Sequence, residues 1–376
     1  MDIRITGGRV VDPFAGRDGL GSVALRNDRV VEDDGSAATL TLHADGCIVV
    51  PGLIDFHAHV FEGTLFGVEP LLLLSTGVTS AVDAGSCGCA QFKVFCEKVM
   101  HTSRVRLKAF LHVSTLGQPF PGFCEDVDPQ NYDRGEIMSL VERYRDDIIG
   151  LKLRISRPIV RELGLEAMDG ALELAEELGL PLCVHVTDPP ETMDKVAAKF
   201  RAGDILCHCY HGTGHTILDE NGTIYPALRE ARERGVIFDA ANGRRNFSFP
   251  VARAAIEQGF LPDIISSDGT RATFNRVSGM KNLPFLLSKY LNMGLDLNTV
   301  IASATAAPAR VMGMAGQIGT LKAGAFADVA IFKLIEHKTV FTDRTGLPME
   351  GTQLLVPQVT IQGGQVVYCA ADFDLD

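Results

Sequence analysis

The sequence predicts an α/β protein whose main part is a (β/α)8 barrel, with a small β domain formed by both ends of the chain. Strand-like and helix-like segments alternate through the middle of its 376 residues, and a chain of this length has room for more than one domain. The two ends carry similar stretches, "ITGGRVVD" (5–12) and "IQGGQVVY" (361–368). A doubly wound open sheet is the alternative, but no G-x-G-x-x-G motif follows the first strand.

The barrel strands are predicted from short apolar segments separated by turns and helical patterns. The clearest helix is "GLEAMDGALELAEELG" (164–179), which ends in glycine, and further helices are predicted at 223–235 and 282–294. The predicted strands are 53–60, 79–86, 106–114, 148–156, 180–187, 204–211, 236–242 and 263–268. Eight strands alternating with helices over about 250 residues are typical of a (β/α)8 barrel.

The terminal stretches each consist of apolar strands interrupted by a Gly-Gly turn. Gly7-Gly8 and Gly363-Gly364 are interpreted as turn glycines, because no helical pattern follows them as it would in a phosphate-binding loop. The similarity predicts that both ends contribute to one domain.

The composition excludes several classes of function. A net charge of −12 argues against nucleic acid or an anionic membrane as the main partner, and no apolar run approaches the roughly 20 residues of a membrane helix. The start "MDIRITGGRVVDP" lacks the features of a signal peptide, and the nine cysteines show no C-x2-C pairs. We expect a cytoplasmic homo-oligomer that acts on a small molecule.

Polar residues concentrate near the carboxyl ends of the predicted strands, where barrel enzymes place their chemistry. His57 and His59 are two residues apart on a strand, so both imidazoles face one side and can reach one metal ion. Two histidines in a polar loop are the alternative. Lys152 lies between Leu151 and Leu153, where an unpaired buried ammonium would be costly.

Three further residues extend this pattern. His185 and His208 each lie in an apolar run, where a single histidine is more often a core residue than a ligand, but their positions on consecutive strands favour a shared site. Asp268 follows "LPDIISS". It could be a helix N-cap or a turn residue, although the end of its strand faces the histidines.

Other polar residues have less support. His112 is interpreted as a core histidine and Asp83 as structural, and Cys87 and Cys89 as small loop residues. His211 and His215 lie in the loop "HGTGH", where either could contact a substrate.

The combined motifs resemble the amidohydrolase superfamily of metal-dependent hydrolases. The matching stretches cover most of the chain: "PGLIDFHAH" (51–59), "IGLKLR" (149–154), "VHV" around His185, "CHCYHG" (207–212), "SSDG" (266–269) and the tail at 304–332. The resemblance implies a TIM barrel at 51–307 and a composite β-sandwich made from 1–50 and 308–376.

The resemblance also implies a binuclear centre with two divalent metal ions, zinc in the first instance, and a lysine carboxylated by carbon dioxide. Carried over, His57, His59 and Asp268 would bind one metal, His185 and His208 the other, and carboxylated Lys152 would span them. Asp268 would also transfer the proton of the attacking water to the leaving group.

The nearer likeness is to deacetylases and dihydroorotase-like amidohydrolases, which implies deacetylation of an N-acetyl amino acid or an acetylated α-hydroxy acid. A cyclic amide hydrolase of the dihydroorotase or hydantoinase type and a non-catalytic scaffold are the alternatives. The sequence departs from that branch at "FDAANGRRNFSF" (238–249), where Asn242 replaces an expected histidine. We predict substrate contacts from Asn242, Arg244, Arg245 and His211, although the arginines could also belong to a solvated loop.

Overall fold

The computed structural model of the protein describes residues 2–275 and 281–373. Within these ranges the chain forms strands and α-helices that alternate through its middle. The strands are β1 (Ile3–Thr6), β2 (Arg9–Asp12), β3 (Arg17–Leu20), β4 (Val23–Arg26), β5 (Arg29–Val31), β6 (Leu40–His43), β7 (Ile48–Pro51), β8 (Leu53–Ala58), β9 (Val78–Asp83), β10 (Arg106–His112), β11 (Ile148–Arg154), β12 (Leu182–His185), β13 (Ile205–Cys207), β14 (Ile237–Asp239), β15 (Val329–Thr342), β16 (Pro348–Gln362) and β17 (Gln365–Cys369). The helices are α1 (Leu71–Leu74), α2 (Cys89–Phe95), α3 (Arg134–Arg143), α4 (Arg157–Val160), α5 (Glu166–Leu178), α6 (Met193–Lys199), α7 (Pro226–Glu233), α8 (Phe249–Glu257), α9 (Leu283–Asn292), α10 (Leu297–Ala302) and α11 (Ala306–Val311).

The central element is a parallel sheet in which β8 to β14 follow one another in chain order. Each neighbouring pair is parallel, and helices lie between most strands along the chain, as in α/β proteins. Seven of the eight predicted barrel segments therefore form strands, several of them shorter than predicted.

The eighth predicted strand, 263–268, is not a regular strand. This segment makes isolated parallel bridges to both edges of the sheet, from Ile264 to Asp239 and from Gly269 to Ala58. Hydrogen bonds of 2.9 Å from Ala240 N to Ile264 O and from His59 N to Gly269 O join it to those edges. Asp268 has φ of 50°, outside the extended region, which interrupts the strand where it would pass β8.

Residues on alternate sides of the central strands face different environments. Leu151 and Leu153 of β11 belong to the apolar layer that also contains Leu174 of α5. Lys152 lies on the other side, where β11 pairs it with Cys183 of β12. The alternation expected of a strand thus directs Lys152 inward.

Helix α5 illustrates how the sequence sets the outer layer. Its buried residues, Ala167, Met168, Ala171, Leu174 and Ala175, recur at helical spacing. Gly179 ends the helix with φ of 65°, a left-handed conformation that glycine adopts without a steric penalty.

The chain ends form two further sheets. One has the order β5-β4-β1-β6, and the other, β17-β16-β15-β7-β2-β3, combines strands from both ends. The two Gly-Gly turns are not equivalent. Gly363-Gly364 closes a β16–β17 hairpin, whereas Gly7-Gly8 carries the chain from one sheet into the other. Gly7 has φ of 76°, and a Cβ there would lie 2.5 Å from Asp45 Oδ1.

No helix within the described part of the chain combines the length and apolar character needed to cross a membrane.

Candidate metal centre

The predicted metal ligands lie together at the carboxyl-terminal ends of the central strands. His57, Lys152 and His185 come from β8, β11 and β12. His59, His208 and Asp268 lie just beyond β8, beyond β13 and on the irregular eighth segment. Five of the six line one cavity, and His208 packs against two of them.

His57, His59 and Asp268 form the tightest donor group. Asp268 Oδ1 lies 3.7 Å from His57 Nε2 and 3.4 Å from His59 Nε2. One atom from each residue lies within 4.8 Å of the others, so the three could hold one metal ion. Imidazole nitrogens and a carboxylate oxygen suit zinc and related divalent metals.

Hydrogen bonds fix the orientation of three histidine rings. His57 Nδ1 donates to Asp239 Oδ2 over 3.2 Å, and His208 Nδ1 donates to the carbonyl of Ala241 over 2.6 Å. His59 Nδ1 contacts Ser86 Oγ at 2.9 Å, and that hydroxyl itself donates to Asp83. Each ring therefore carries its proton on Nδ1 and keeps an Nε2 lone pair, which is the tautomer that a metal ligand needs.

The electrostatics favour the neutral form of the imidazoles. Burial lowers the pKa of His57 and His185 well below the ordinary value, and nearby cationic groups lower it further. Burial likewise lowers the pKa of His208 to about 3. Only the neutral imidazole binds a metal.

The second pair of histidines is in direct contact. The rings of His185 and His208 have centroids 4.3 Å apart at an interplanar angle of 74°, and His208 also lies 5.1 Å from the ring of His57. His208 has φ of 66°, in the left-handed region, where a histidine is strained. Such strain persists where the surrounding structure holds a residue in place, often at functional sites.

Asp268 is held from both sides. Its Oδ2 accepts a hydrogen bond of 2.8 Å from Asn246 Nδ2, and Asn246 in turn accepts one from Thr187. Burial would raise the pKa of Asp268, but His59, His208 and His57 lower it below the ordinary value. The carboxylate is therefore ionised, as a metal ligand must be.

Lys152 is almost fully buried, and its surroundings differ from the apolar ones expected from sequence. Its Nζ lies 3.6 Å from Cys183 Sγ and 3.9 Å from Cys207 Sγ. Burial alone would lower its pKa, but Cys183, Cys207 and the carboxylates of Asp268 and Asp239 shift the pKa above the ordinary value. Without metal, these neighbouring groups thus favour the protonated amine.

Two aspartates that support the histidines, Asp239 and Asp83, were not predicted as site residues. Asp239, at the end of β14, also accepts hydrogen bonds from Ser266 Oγ and Ala241 N. Asp83 accepts hydrogen bonds from Ser86 N and Val60 N. The structural role that we predicted for Asp83 therefore supports the site. An aspartate at the carboxyl end of a predicted strand was the available signal for both.

The cavity above these residues has a volume of about 680 Å³. The apolar residues that line it include Leu65, Phe66, Phe120, Phe123 and Ile159. The charged residues that line it, besides the candidate ligands, are Arg154, Arg161, Asp188, Arg244 and Arg245. Such a mixture of apolar surface and a few polar groups is typical of a small-molecule site.

The four predicted substrate contacts separate into two groups. Arg244 and Arg245 are exposed and line the cavity. Asn242 is fully buried behind it, where its Oδ1 accepts a hydrogen bond of 2.5 Å from Lys289 Nζ. His211 is also fully buried, and neither lines the cavity. Substrate contact by Asn242 and His211 is thus not supported, because their side chains are enclosed by protein.

Comparison with known proteins agrees with this geometry. The model of the "Amidohydrolase family" matches residues 48–367. A deacetylase of Agrobacterium fabrum is 30% identical over 334 residues, which are 88% of this chain and 81% of that protein. The crystal structure of an adenine deaminase superposes with a TM-score of 0.89 at 27% identity, covering 98% of this chain and 100% of the other. The crystal structure of a dihydroorotase superposes with a TM-score of 0.86 at 28% identity, covering 98% of each chain.

Proposed function

The chain belongs to the amidohydrolase family, and we propose that it removes an acetyl group from a small, carboxylate-bearing amide or ester. It is a hydrolase that acts on C–N bonds. The observation that carries the proposal is the convergence of His57, His59 and Asp268, with both imidazoles presenting Nε2 towards one carboxylate oxygen.

We assign the ligands as the family resemblance implies. His57, His59 and Asp268 would hold one divalent metal, His185 and His208 would hold the second, and Lys152 would supply oxygen donors as a carbamate. The donor set fits this assignment, since the three histidines with known ring contacts all leave Nε2 free. When bound, the metals supply Lewis acidity and lower the pKa of water.

Carboxylation of Lys152 removes a charge conflict. Two divalent ions bring four positive charges next to a side chain that is cationic in the metal-free site. A carbamate replaces that ammonium with a negative charge and two oxygen donors. Because the thiols and carboxylates around Lys152 favour its protonated form, we expect carboxylation to accompany metal binding rather than precede it.

Asp268 serves as the proton carrier in this mechanism. Its Oδ1 faces the histidines while Asn246 holds Oδ2. The carboxylate accepts a proton from the attacking water and returns it to the leaving nitrogen or oxygen as the tetrahedral intermediate collapses. The fixed orientation keeps the same oxygen directed at the reacting groups throughout.

The proposed architecture places this site in a complete (β/α)8 barrel of residues 51–307, with a β-sandwich from 1–50 and 308–376. The irregular eighth segment, bonded to both sheet edges, supports closure of the barrel. The sheet that combines strands of both chain ends supports the composite domain.

A substrate screen tests the function. Metal-loaded enzyme is assayed with N-acetyl amino acids, acetylated α-hydroxy acids, dihydroorotate and hydantoins, with the Asp268→Asn variant as the control for contaminating hydrolases. We expect turnover of acetylated acids that is lost in the variant. Opening of dihydroorotate or hydantoin without deacetylation would replace the proposal with the cyclic amide hydrolase, which the likeness to dihydroorotase favours. Failure to bind added zinc would favour the scaffold.

A further inference from the structure

We propose that Arg154 forms the carboxylate-binding subsite of the cavity, with Glu125 and Gln118 holding its guanidinium in position. The inference rests on the proposed deacetylation of a carboxylate-bearing substrate and names the residue that recognises this group. Arg154, and not the exposed Arg244 or Arg245, is then the main determinant of carboxylate binding.

Arg154 lies next to the candidate metal ligands. Arg154 is the last residue of β11, two residues beyond Lys152, so both side chains project from the same side of the strand. Its partner across the sheet is His185. Arg154 lines the cavity together with Gln118 and Lys152, so its side chain borders the same space as the candidate metal ligands.

The hydrogen bonds of Arg154 leave one edge of the guanidinium without a partner. Nη1 donates to Glu125 Oε1 over 2.6 Å and to Gln118 Oε1 over 3.3 Å. Nε is buried and has no partner, and Nη2 makes no hydrogen bond within residues 2–275 and 281–373. Nη2 is therefore the guanidinium donor that a carboxylate in the cavity can reach.

The side chains behind Arg154 are firmly enclosed. Glu125 and His112 are fully buried at their side chains, with His112 Nε2 lying 3.9 Å from Glu125 Oε1. His112 Nδ1 accepts a hydrogen bond from Ser114 N, so the ring proton is on Nε2 and points towards the glutamate. Arg154 Nη1 lies 2.6 Å from Glu125 Oε1 and is the cationic group in close contact with this carboxylate.

Three buried polar atoms without partners occur in this one cluster: Arg154 Nε, Glu125 Oε2 and His112 Nε2. Buried polar atoms are nearly always hydrogen-bonded, so a cluster of exceptions indicates that a polar group or water completes it. A substrate carboxylate in the cavity would give Arg154 Nη2 a partner.

The charge of the cavity also favours an anion, even though Glu125 partly neutralises Arg154. Four arginines line the cavity against two carboxylates, Asp188 and Asp268, and Asp188 is already paired with Arg157. Arg244 and Arg245 are exposed and would lose side-chain entropy on binding. Arg154 is already held, so it binds a carboxylate at a lower entropic cost.

The test compares two probes that differ mainly in charge, N-acetylphenylalanine and N-acetylphenylalanine carboxamide. The phenyl group suits the apolar residues that line the cavity. Binding to metal-loaded protein is measured by calorimetry and turnover in parallel, for wild type, Arg154→Lys, Arg154→Met and the double variant Arg154→Met/Glu125→Gln. The double variant removes both charges, so it avoids leaving Glu125 unpaired. Arg244→Met and Arg245→Met are the controls, and metal content is measured for every variant.

We expect wild type to bind the carboxylate about 100-fold more tightly than the carboxamide. The Arg154 variants should lose about 100-fold in affinity for the carboxylate with little change for the carboxamide and unchanged metal content. The control variants should lose severalfold at most. No preference in wild type, or a preference that survives in the double variant, would overturn the assignment. A preference that depends on Arg154, without any turnover of acetylated acids, would instead refute the deacetylase function and leave the subsite standing.

Discussion

The support that Asp239 gives to His57 predicts a large effect of a small change, Asp239→Asn. His57 Nδ1 donates to Asp239 Oδ2, while Oδ1 accepts from Ser266 Oγ at 2.5 Å and Ala241 N at 3.0 Å. An asparagine oxygen can keep the last two bonds only if its amide NH2 faces His57. Two donors then oppose each other, and the imidazole relieves this by moving its proton to Nε2, where it can no longer bind a metal.

The expected loss follows from that tautomer change. Supporting residues of metal-bound histidines are worth about 10–100-fold in metal affinity, which corresponds to about 1.4–2.8 kcal/mol. Zinc affinity is measured by competition with a chelator, and deacetylase activity is followed in parallel.

The matched control is Asp12→Asn. Asp12 is also fully buried and accepts hydrogen bonds from Thr320 Oγ1 and Leu321 N, but it contacts no histidine. It should lose stability and keep its zinc affinity. If Asp239→Asn and Asp12→Asn bound zinc with the same affinity as wild type, the orienting role of Asp239 would be refuted.

Three further predictions concern other buried positions. Gly85→Ala should reduce activity at least tenfold, because the added Cβ would lie 2.5 Å from Lys152 Cγ. The control is Gly203→Ala, since Gly203 has φ of 86°, close to the 82° of Gly85, but open space around the added Cβ. It should lose only about 1–2 kcal/mol of stability and keep its activity. Lys152→Ala should lose activity, with partial rescue by short carboxylic acids such as propionate; a variant that kept both metals and the full rate would contradict the carbamate. Burial lowers the pKa of Lys289 well below the ordinary value, so below about pH 10 the unfolded chain binds a proton more readily than the folded chain. The free energy of unfolding should therefore rise as the pH increases towards about 10, by at most about 1.4 kcal/mol per pH unit. Denaturant titrations at several pH values should show this rise in wild type and a smaller one in Lys289→Met.

The sequence was most informative where periodicity alone decides which face of a strand a side chain occupies. The two-residue spacing of His57 and His59, and the leucines on either side of Lys152, were enough to predict which side chains turn inward. The ends of β12 and β13 likewise placed His185 and His208 side by side.

The remaining features depend on tertiary contacts that no local pattern encodes. The sequence "DIISSD" is typical of a strand, but Asp268 adopts a left-handed backbone conformation. The segment therefore makes only isolated bridges to the neighbouring strands. Asn242 follows a strand end, as a ligand would, but contact with Lys289 of α9 holds it away from the cavity. Arg154 is part of the motif "IGLKLR" (149–154). Its partner Glu125, however, lies in the loop between β10 and α3, whose position sequence periodicity does not predict.

The mixed sheet of both chain ends has a consequence for biosynthesis. Strand β7 pairs with β2 from the N-terminal side and with β15 from the C-terminal side, with Val329 opposite Pro51. During translation β7 therefore leaves the ribosome long before β15, with one edge awaiting a partner from the far end of the chain. Because β8 follows β7 after a single residue, the start of the barrel remains tethered to an incomplete sheet until synthesis is nearly finished. Nascent chains of increasing length should acquire resistance to proteolysis late, only after β15 has emerged.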